Sequence, residues 1–246
     1  MDATLPPLGS FARSRALLKA FSYEQSDPAR FYSLLAADSA RQVAHYVPMT
    51  GATLLDVGGG PGYFADAFRA LGAVYVGLDA DAGELSLHGR DVADGTVLGS
   101  GMALPFRDDA LDVVYSSNVL EHVPDPERMA DEMLRVARPG GLVFLSYNNW
   151  FAPNGGHETA PWHFLGGRYA ADRYARKQGH RPKNDFGRTL YKTSVAQMLR
   201  WLARQDGVDV VDVRPRYHPD WARWIVRVPV AREVGTWNLL IVVRKR

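Results

Sequence analysis

The stretch Leu54-Leu55-Asp56-Val57-Gly58-Gly59-Gly60-Pro61-Gly62 is the most informative chemistry in the chain. An apolar run ends beside an acid and passes into a turn of glycines. Glycine reaches left-handed backbone angles and lets a ligand approach the main chain closely. A helix opening at Pro61 would aim free N–H groups and a partial positive charge at that ligand. A carboxylate or a phosphate suits such a place. A dinucleotide turn follows G-x-G-x-x-G. Gly58 and Gly60 fill its first two places, but Tyr63 stands in the third. The pattern is instead Asp-x-Gly-x-Gly-x-Gly. A carboxylate at Asp56 favours a cofactor with an ammonium group and repels a pyrophosphate. That tips the reading from NAD toward S-adenosylmethionine. Asp79 ends the next apolar run, where a carboxylate can accept both hydroxyls of a ribose. Its competing role is a helix cap for residues 81–88.

A sulfonium methyl is intrinsically reactive, so much of the catalysis reduces to bringing a nucleophile into line and excluding water. A hydroxyl acceptor also needs a base, usually His, Asp or Glu. The catalytic candidates are His157 and Glu158, in a Gly-Gly-His-Glu turn, and His122, in Asn118–Val123. Against these stand bland roles: a turn hydrogen bond for His122 and a surface loop position for His157. His163 is a weaker candidate, and His218, beside Tyr217 and Trp221, could close over an acceptor. His157-Glu158 with His163 is not the zinc-protease motif, because the spacing is wrong and Pro161 blocks the required helix. With no cysteine in the chain, thiolate zinc sites, disulfides and cysteine nucleophiles are excluded. No metal ligands are assigned.

These residues must be positioned by alternating elements. Short apolar runs at 53–57, 74–78, 96–98, 111–116 and 142–147 read as strands. Helical patterns at 61–71 and 126–138 lie between them, the second closed by Pro139-Gly140-Gly141. Residues 28–47 form a leading helix, capped by Asp27 with proline at its first position. After an interruption at 148–192, the rhythm resumes with a helix at 194–204 and strands at 208–213 and 238–243. The alternation predicts an α/β fold, a doubly wound, mostly parallel sheet with helices on both faces. One domain is expected over 1–246. It comprises a helical cap (1–50), a cofactor-binding core (51–147), an inserted lid (148–192) and a C-terminal core (193–246) with an insertion at 215–237. Each interruption is too short to have its own core.

Asp56–Gly62, Asp79, Leu104-Pro105-Phe106 with Asp112-Val113-Val114, Ser117–Val123 and Arg138-Pro139-Gly140-Gly141 occur in that order. In this the chain resembles the class I methyltransferases, specifically their small-molecule "type 11" branch. The resemblance covers roughly residues 50–147. Gly155–Glu158, Leu165-Gly166-Gly167 and Arg216-Tyr217-His218-Pro219 further resemble an uncharacterised mycobacterial group of that family. The resemblance implies a Rossmann-like, seven-stranded sheet with an antiparallel last strand. It implies that Asp56 and the backbone at Gly58, Gly60 and Gly62 hold the methionine end of S-adenosylmethionine. Asp79 and Ala80 would take the ribose, Gly101 and Met102 would flank the adenine, and Asn118 would lie under the methionine portion. Where the family often has an acid for the adenine amine, this chain has Ser100.

Composition sets the remaining bounds. The net charge of +2 conceals an asymmetry: residues 1–150 balance at −8 and residues 151–246 at +10. Residues 168–192 interleave eight Lys or Arg with Tyr169, Tyr174, Phe186 and Tyr191. This segment reads as a lid over an anionic acceptor, a membrane-surface patch meeting a lipid-linked substrate, or a solvated helix face. No nucleic-acid recognition module is recognisable, so no nucleic-acid partner is expected. No apolar run approaches the ~18 residues that span a bilayer, and Arg13, Arg15 and Lys19 break the leading apolar segment. A cytoplasmic location is the expectation. The leading functional expectation is methyl transfer to a small-molecule hydroxyl, on an acceptor that is glycosylated or lipid-linked in one version. N- or C-methylation in natural-product or quinone-type metabolism and a catalytically silent cofactor binder are the alternatives. The oligomeric state is open.

Overall fold

The computed structural model describes residues 5–23, 26–85 and 93–246. In chain order the elements are α1 (Phe11–Phe21), α2 (Pro28–Tyr46), β1 (Thr53–Val57), α3 (Tyr63–Ala70), β2 (Val74–Asp79), α4 (Ala82–Leu85), β3 (Thr96–Leu98) and β4 (Leu111–Ser117). Then follow α5 (Pro126–Val136), β5 (Ala137–Asn148), α6 (Gly167–Gln178), α7 (Val195–Ala203), β6 (Val208–Pro215), α8 (Ala231–Gly235) and β7 (Asn238–Lys245). The strands form one seven-stranded sheet in the order β3-β2-β1-β4-β5-β7-β6. β7 runs antiparallel to both neighbours, and the pairs among β1 to β5 are parallel. This is the expected Rossmann-like sheet with an antiparallel last strand.

Strand alternation divides the core into two layers. Leu55, Val57 and Val114 face Met129 and Met133 of α5 and Met198 and Trp201 of α7. Leu54, Val113 and Tyr115 face Val43 of α2 and Phe68 of α3. Helix starts follow from local chemistry. The Asp125 side chain accepts from the Arg128 N–H, with Pro126 at the first position, and Ser194 caps α7 through the Gln197 N–H. Each cap satisfies a donor that the helix itself leaves free.

Two sequence boundaries shift. The helix after the glycine turn begins at Tyr63, not Pro61, because Gly62 is left-handed (φ 77°) and cannot continue an α-helix backward. Arg138–Gly141 does not close α5. It opens β5, since Ala137 is already extended (ψ 135°). The helix expected over 81–88 is seen as α4, and its last three positions lie outside the described residues.

The N-terminal helices are tied in by a buried ion pair. Arg13 of α1 donates to both Asp38 oxygens of α2, at 2.7 and 2.6 Å, and to the Arg216 carbonyl at 3.1 Å. Leu17, Phe31, Leu35 and Tyr217 pack around this junction. The carboxyl ends of β1 and β4 mark the point where strand order reverses, which is where this architecture places its ligands.

Candidate active site

The turn leaving β1 uses left-handed backbone at Gly58 (φ 82°), Gly60 (φ 50°) and Gly62 (φ 77°). Each glycine answers a different demand. A Cβ on Gly58 would lie 2.3 Å from Val119 Cγ2, so this residue lets the β4 loop close over the turn. A Cβ on Gly62 would lie 2.7 Å from that of Ala93. Gly62 thus also has a packing reason to be glycine. A Cβ on Gly60 would meet nothing within 4 Å. The open face of the turn is therefore at Gly60, and there a ligand can reach the backbone.

The two acids of the sequence reading differ sharply in exposure. Asp56 is buried beneath the turn, 2% exposed, and accepts a hydrogen bond from the Tyr75 hydroxyl at 2.7 Å. Burial, reinforced by the nearby Asp79 charge, pushes its pKa up to about 7, with the Tyr75 bond opposing. Asp56 therefore lies beneath the turn, braced by Tyr75, rather than on its open face. Asp79 ends β2 half-buried. It accepts from the Gly60 N–H (3.0 Å) with one oxygen and from the Asp81 N–H (3.0 Å) with the other. The Asp79 carboxylate thus sits against the open glycine, while the helix-cap role weighed for it falls to Asp81, whose side chain accepts from the Gly83 N–H at 2.7 Å at the start of α4. Ala80 beside it is exposed.

Ser100 accepts from the Met102 N–H at 3.2 Å, so it shapes the next loop internally. Gly101 is small because a Cβ would meet Val57 and the Met129 sulfur at 3.1 and 3.2 Å. Met102 packs on the core edge. Asn118 takes a left-handed conformation (φ 59°) at the end of β4, and its side-chain oxygen accepts from Asn238 Nδ2 at 2.7 Å.

The catalytic candidates separate. Glu158 is exposed, and both its oxygens accept from Asn184, from the backbone N–H at 2.9 Å and the side chain at 2.8 Å. Those bonds hold its pKa low against the opposing effect of burial. It clamps two parts of the lid together through Asn184. His163 is buried between Trp150 and Phe164, with Nε2 on the Ala152 carbonyl. His218 packs edge-on to Trp237. His122 and His157 come together, ring centroids 5.2 Å apart. His122 Nδ1 is 2.7 Å from the Thr189 carbonyl, while His157 Nε2 is buried without a partner. Burial, then the neighbouring His122, lowers the His157 pKa to about 4.

Sequence reasoning missed three contributors. Glu121, quoted only inside a motif, is fully buried beside the histidines and accepts from the Asn148 N–H at 3.0 Å. Glu121, His122 and His157 each offer one donor atom, all within 4.8 Å of one another. Arg216 is fully buried and donates at 2.6 Å to the hydroxyls of Ser117, Ser146 and Ser39, bracing the ends of β4 and β5 against α2. Tyr75 anchors Asp56. Glu121 meets Asn148 and His157, Arg216 meets Ser39, Ser117 and Ser146, and Tyr75 meets Asp56, all distant in sequence, so spacing gave little signal. A lone acid followed by histidine, or an arginine after a strand, was the only trace.

A glycine turn with an open backbone at the switch point, an acid ending β2, and a histidine pair beyond β4 define a nucleotide-cofactor transferase of the α/β class. Residues 55–145 match a family model described as a methyltransferase domain. The chain is 52% identical over 244 residues to an uncharacterized methyltransferase of Mycobacterium avium, covering 96% of each protein. It is 51% identical over 239 residues to one of Mycobacterium tuberculosis, covering 94% of this chain and 93% of the relative. Solved structures share the fold. One is an S-adenosylmethionine-dependent methyltransferase of Mesorhizobium loti, with TM-score 0.57 and 20% identity over 85% of this chain and 98% of that one. Another is a [4+2]-cyclase, with TM-score 0.52 and 19% identity over 85% of this chain and 81% of that one. The chain belongs to the methyltransferase family that includes these mycobacterial proteins. Bound S-adenosylmethionine supplies an electrophilic methyl. The open Gly60 backbone and the Asp79 carboxylate fit that cofactor.

Proposed function

We propose that this methyltransferase alkylates a hydroxyl of a small-molecule acceptor held between the core and the lid, residues 148–192. The observation that carries the reading is the His122–His157 pair. It lies in the loops that follow β4 and β5, as the cofactor turn follows β1, and it presents a buried imidazole nitrogen with no partner. In this reading His157 takes the hydroxyl proton as the acceptor oxygen gains the methyl. His122 lies beside it, held by the Thr189 carbonyl. Val119 and the lid exclude water. A screen of acceptors with labelled cofactor tests the class of substrate. His157→Ala should lower kcat by about 100-fold, the low end of general-base effects, with cofactor affinity unchanged by calorimetry. Equal rates would remove the base role.

The outer lid supports a glycosylated or lipid-linked acceptor. Trp162, Phe164, Leu165 and Tyr169 are exposed together, with the Arg173 guanidinium 4.0 Å from the Trp162 ring centroid. Part of the basic segment is already neutralised, since Arg181 bridges Asp172 and Asp185 at 2.7 and 2.6 Å. Arg168, Arg176 and Lys177 remain exposed beside the aromatic cluster. Among the described residues no helix is long and apolar enough to cross a membrane.

A further inference from the structure

We infer that Glu121, His122 and His157 form a binding site for one divalent first-row transition ion, of which zinc is the best probe. The argument is one of unmatched lone pairs. The Thr189 carbonyl can only accept, so the His122 Nδ1 facing it at 2.7 Å carries the proton. In the neutral ring, His122 Nε2 is then an acceptor. His157 Nε2 is buried and unpartnered. Glu121 is 1% exposed, with one oxygen on the Asn148 N–H and the other, Oε2, buried and unpartnered. Buried polar atoms left without partners are rare and call for an explanation. Here two of them belong to a group of three residues whose ligand atoms lie within 4.8 Å of one another. A cation satisfies all three at once.

The surroundings match a metal site as well. Ligating histidines usually donate their second ring N–H to a carbonyl or carboxylate, and ligating carboxylates are themselves hydrogen-bonded. The Thr189 carbonyl and the Asn148 N–H supply these two bonds. The Tyr191 N–H donates to the Glu121 carbonyl at 2.8 Å, fixing the backbone that presents the carboxylate. Two imidazoles and one carboxylate select zinc, iron or manganese over magnesium or calcium. Donors about 2.1 Å from zinc stand about 3.4 Å apart in a tetrahedron, so side-chain shifts of about 1 Å would close the set. Three protein ligands leave a coordination position open. Glu121 and His122 come from the core while His157 and Thr189 come from the lid, so the ion would also staple the two. The inference rests on the proposed hydroxyl chemistry only in what that open position faces: an acceptor oxygen whose proton the ion would make more acidic, with the His157 Nε2 lone pair given to the ion and the ion taking over the base role proposed for His157.

The test uses the full chain, stripped by chelator and titrated with Zn²⁺ alone by calorimetry, with the metal content of the dialysed protein measured by plasma spectrometry. We expect one zinc per chain, a rise in Tm on loading, and at least about a tenfold loss of affinity in both Glu121→Gln and His157→Ala. His180→Ala, at an exposed lid histidine, should bind as the parent does. Circular dichroism of the His157→Ala apo-protein separates lost binding from lost fold, because His157 Nε2 makes no hydrogen bond whose removal would unfold the chain. No stoichiometric zinc, or zinc that persists in His157→Ala, would overturn the site. Metal binding without any acceptor turnover would leave the site standing and remove the hydroxyl reading. Turnover by a zinc-free chain that needs His157 would do the reverse.

Discussion

Gly58 and Gly60 sit two positions apart, and the structure separates why each is glycine. Gly58→Ala meets both a left-handed penalty and Val119, so it should cost about 2–4 kcal/mol of stability. Gly60→Ala meets only the backbone penalty, about 1–2 kcal/mol, yet places a methyl in the open face of the turn. Thermal melts should show the larger loss for Gly58→Ala. Calorimetry should show S-adenosylmethionine affinity falling at least about tenfold in Gly60→Ala, because close ligand approach there depends on a missing side chain. Asp56 gives a pH prediction. Its folded pKa of about 7 exceeds the ordinary aspartate value of 3.8. Between those values the folded state holds a proton that the unfolded state has lost, so stability falls as pH rises through this window and levels above it. About three units correspond to roughly 4 kcal/mol at most. Denaturant midpoints at pH 5 and pH 8 should differ in that direction, and Asp56→Asn should remove most of the difference.

At the scale of elements, one buried charge pair joins α1 to α2 beside the apolar packing of Leu17, Phe31 and Leu35. Breaking a buried pair from one side leaves the other charge stranded, at about 3–5 kcal/mol. Arg13→Met should therefore lower the unfolding free energy by that amount, read from denaturant titration, and expose α1 to limited proteolysis, although Met preserves the apolar stem. Most elements were legible in the sequence because each strand or helix repeats its own period. Six of the seven strands begin where the alternation predicts. The misplaced boundaries, at Pro61 and at Arg138–Gly141, fall where glycine conformation or sheet pairing decides. In the first, a left-handed Gly62 delays the helix. In the second, pairing of Ala137 with Leu111 extends β5 backward.

On the scale of the whole molecule, the charge asymmetry acquires a location. The lid that carries much of the positive half exposes aromatic and aliphatic side chains beside free arginines. The lipid-linked reading predicts that the chain pellets with anionic phospholipid vesicles at low salt and is released at high salt. A Trp162→Glu variant should stay in the supernatant throughout, and equal pelleting of that variant would remove this reading. The sequence by itself determined the strand–helix rhythm, the glycine turn, the acid at the end of β2 and the chain's family. Each of these is written in contiguous residues with a local period or a local turn requirement. Only the tertiary structure decided that Asp56 is buried on Tyr75, that Glu158 bonds to Asn184, and that Glu121 joins His122 and His157. Those outcomes depend on which lone pairs meet across chain separations of about 20 residues or more, and no periodicity encodes them.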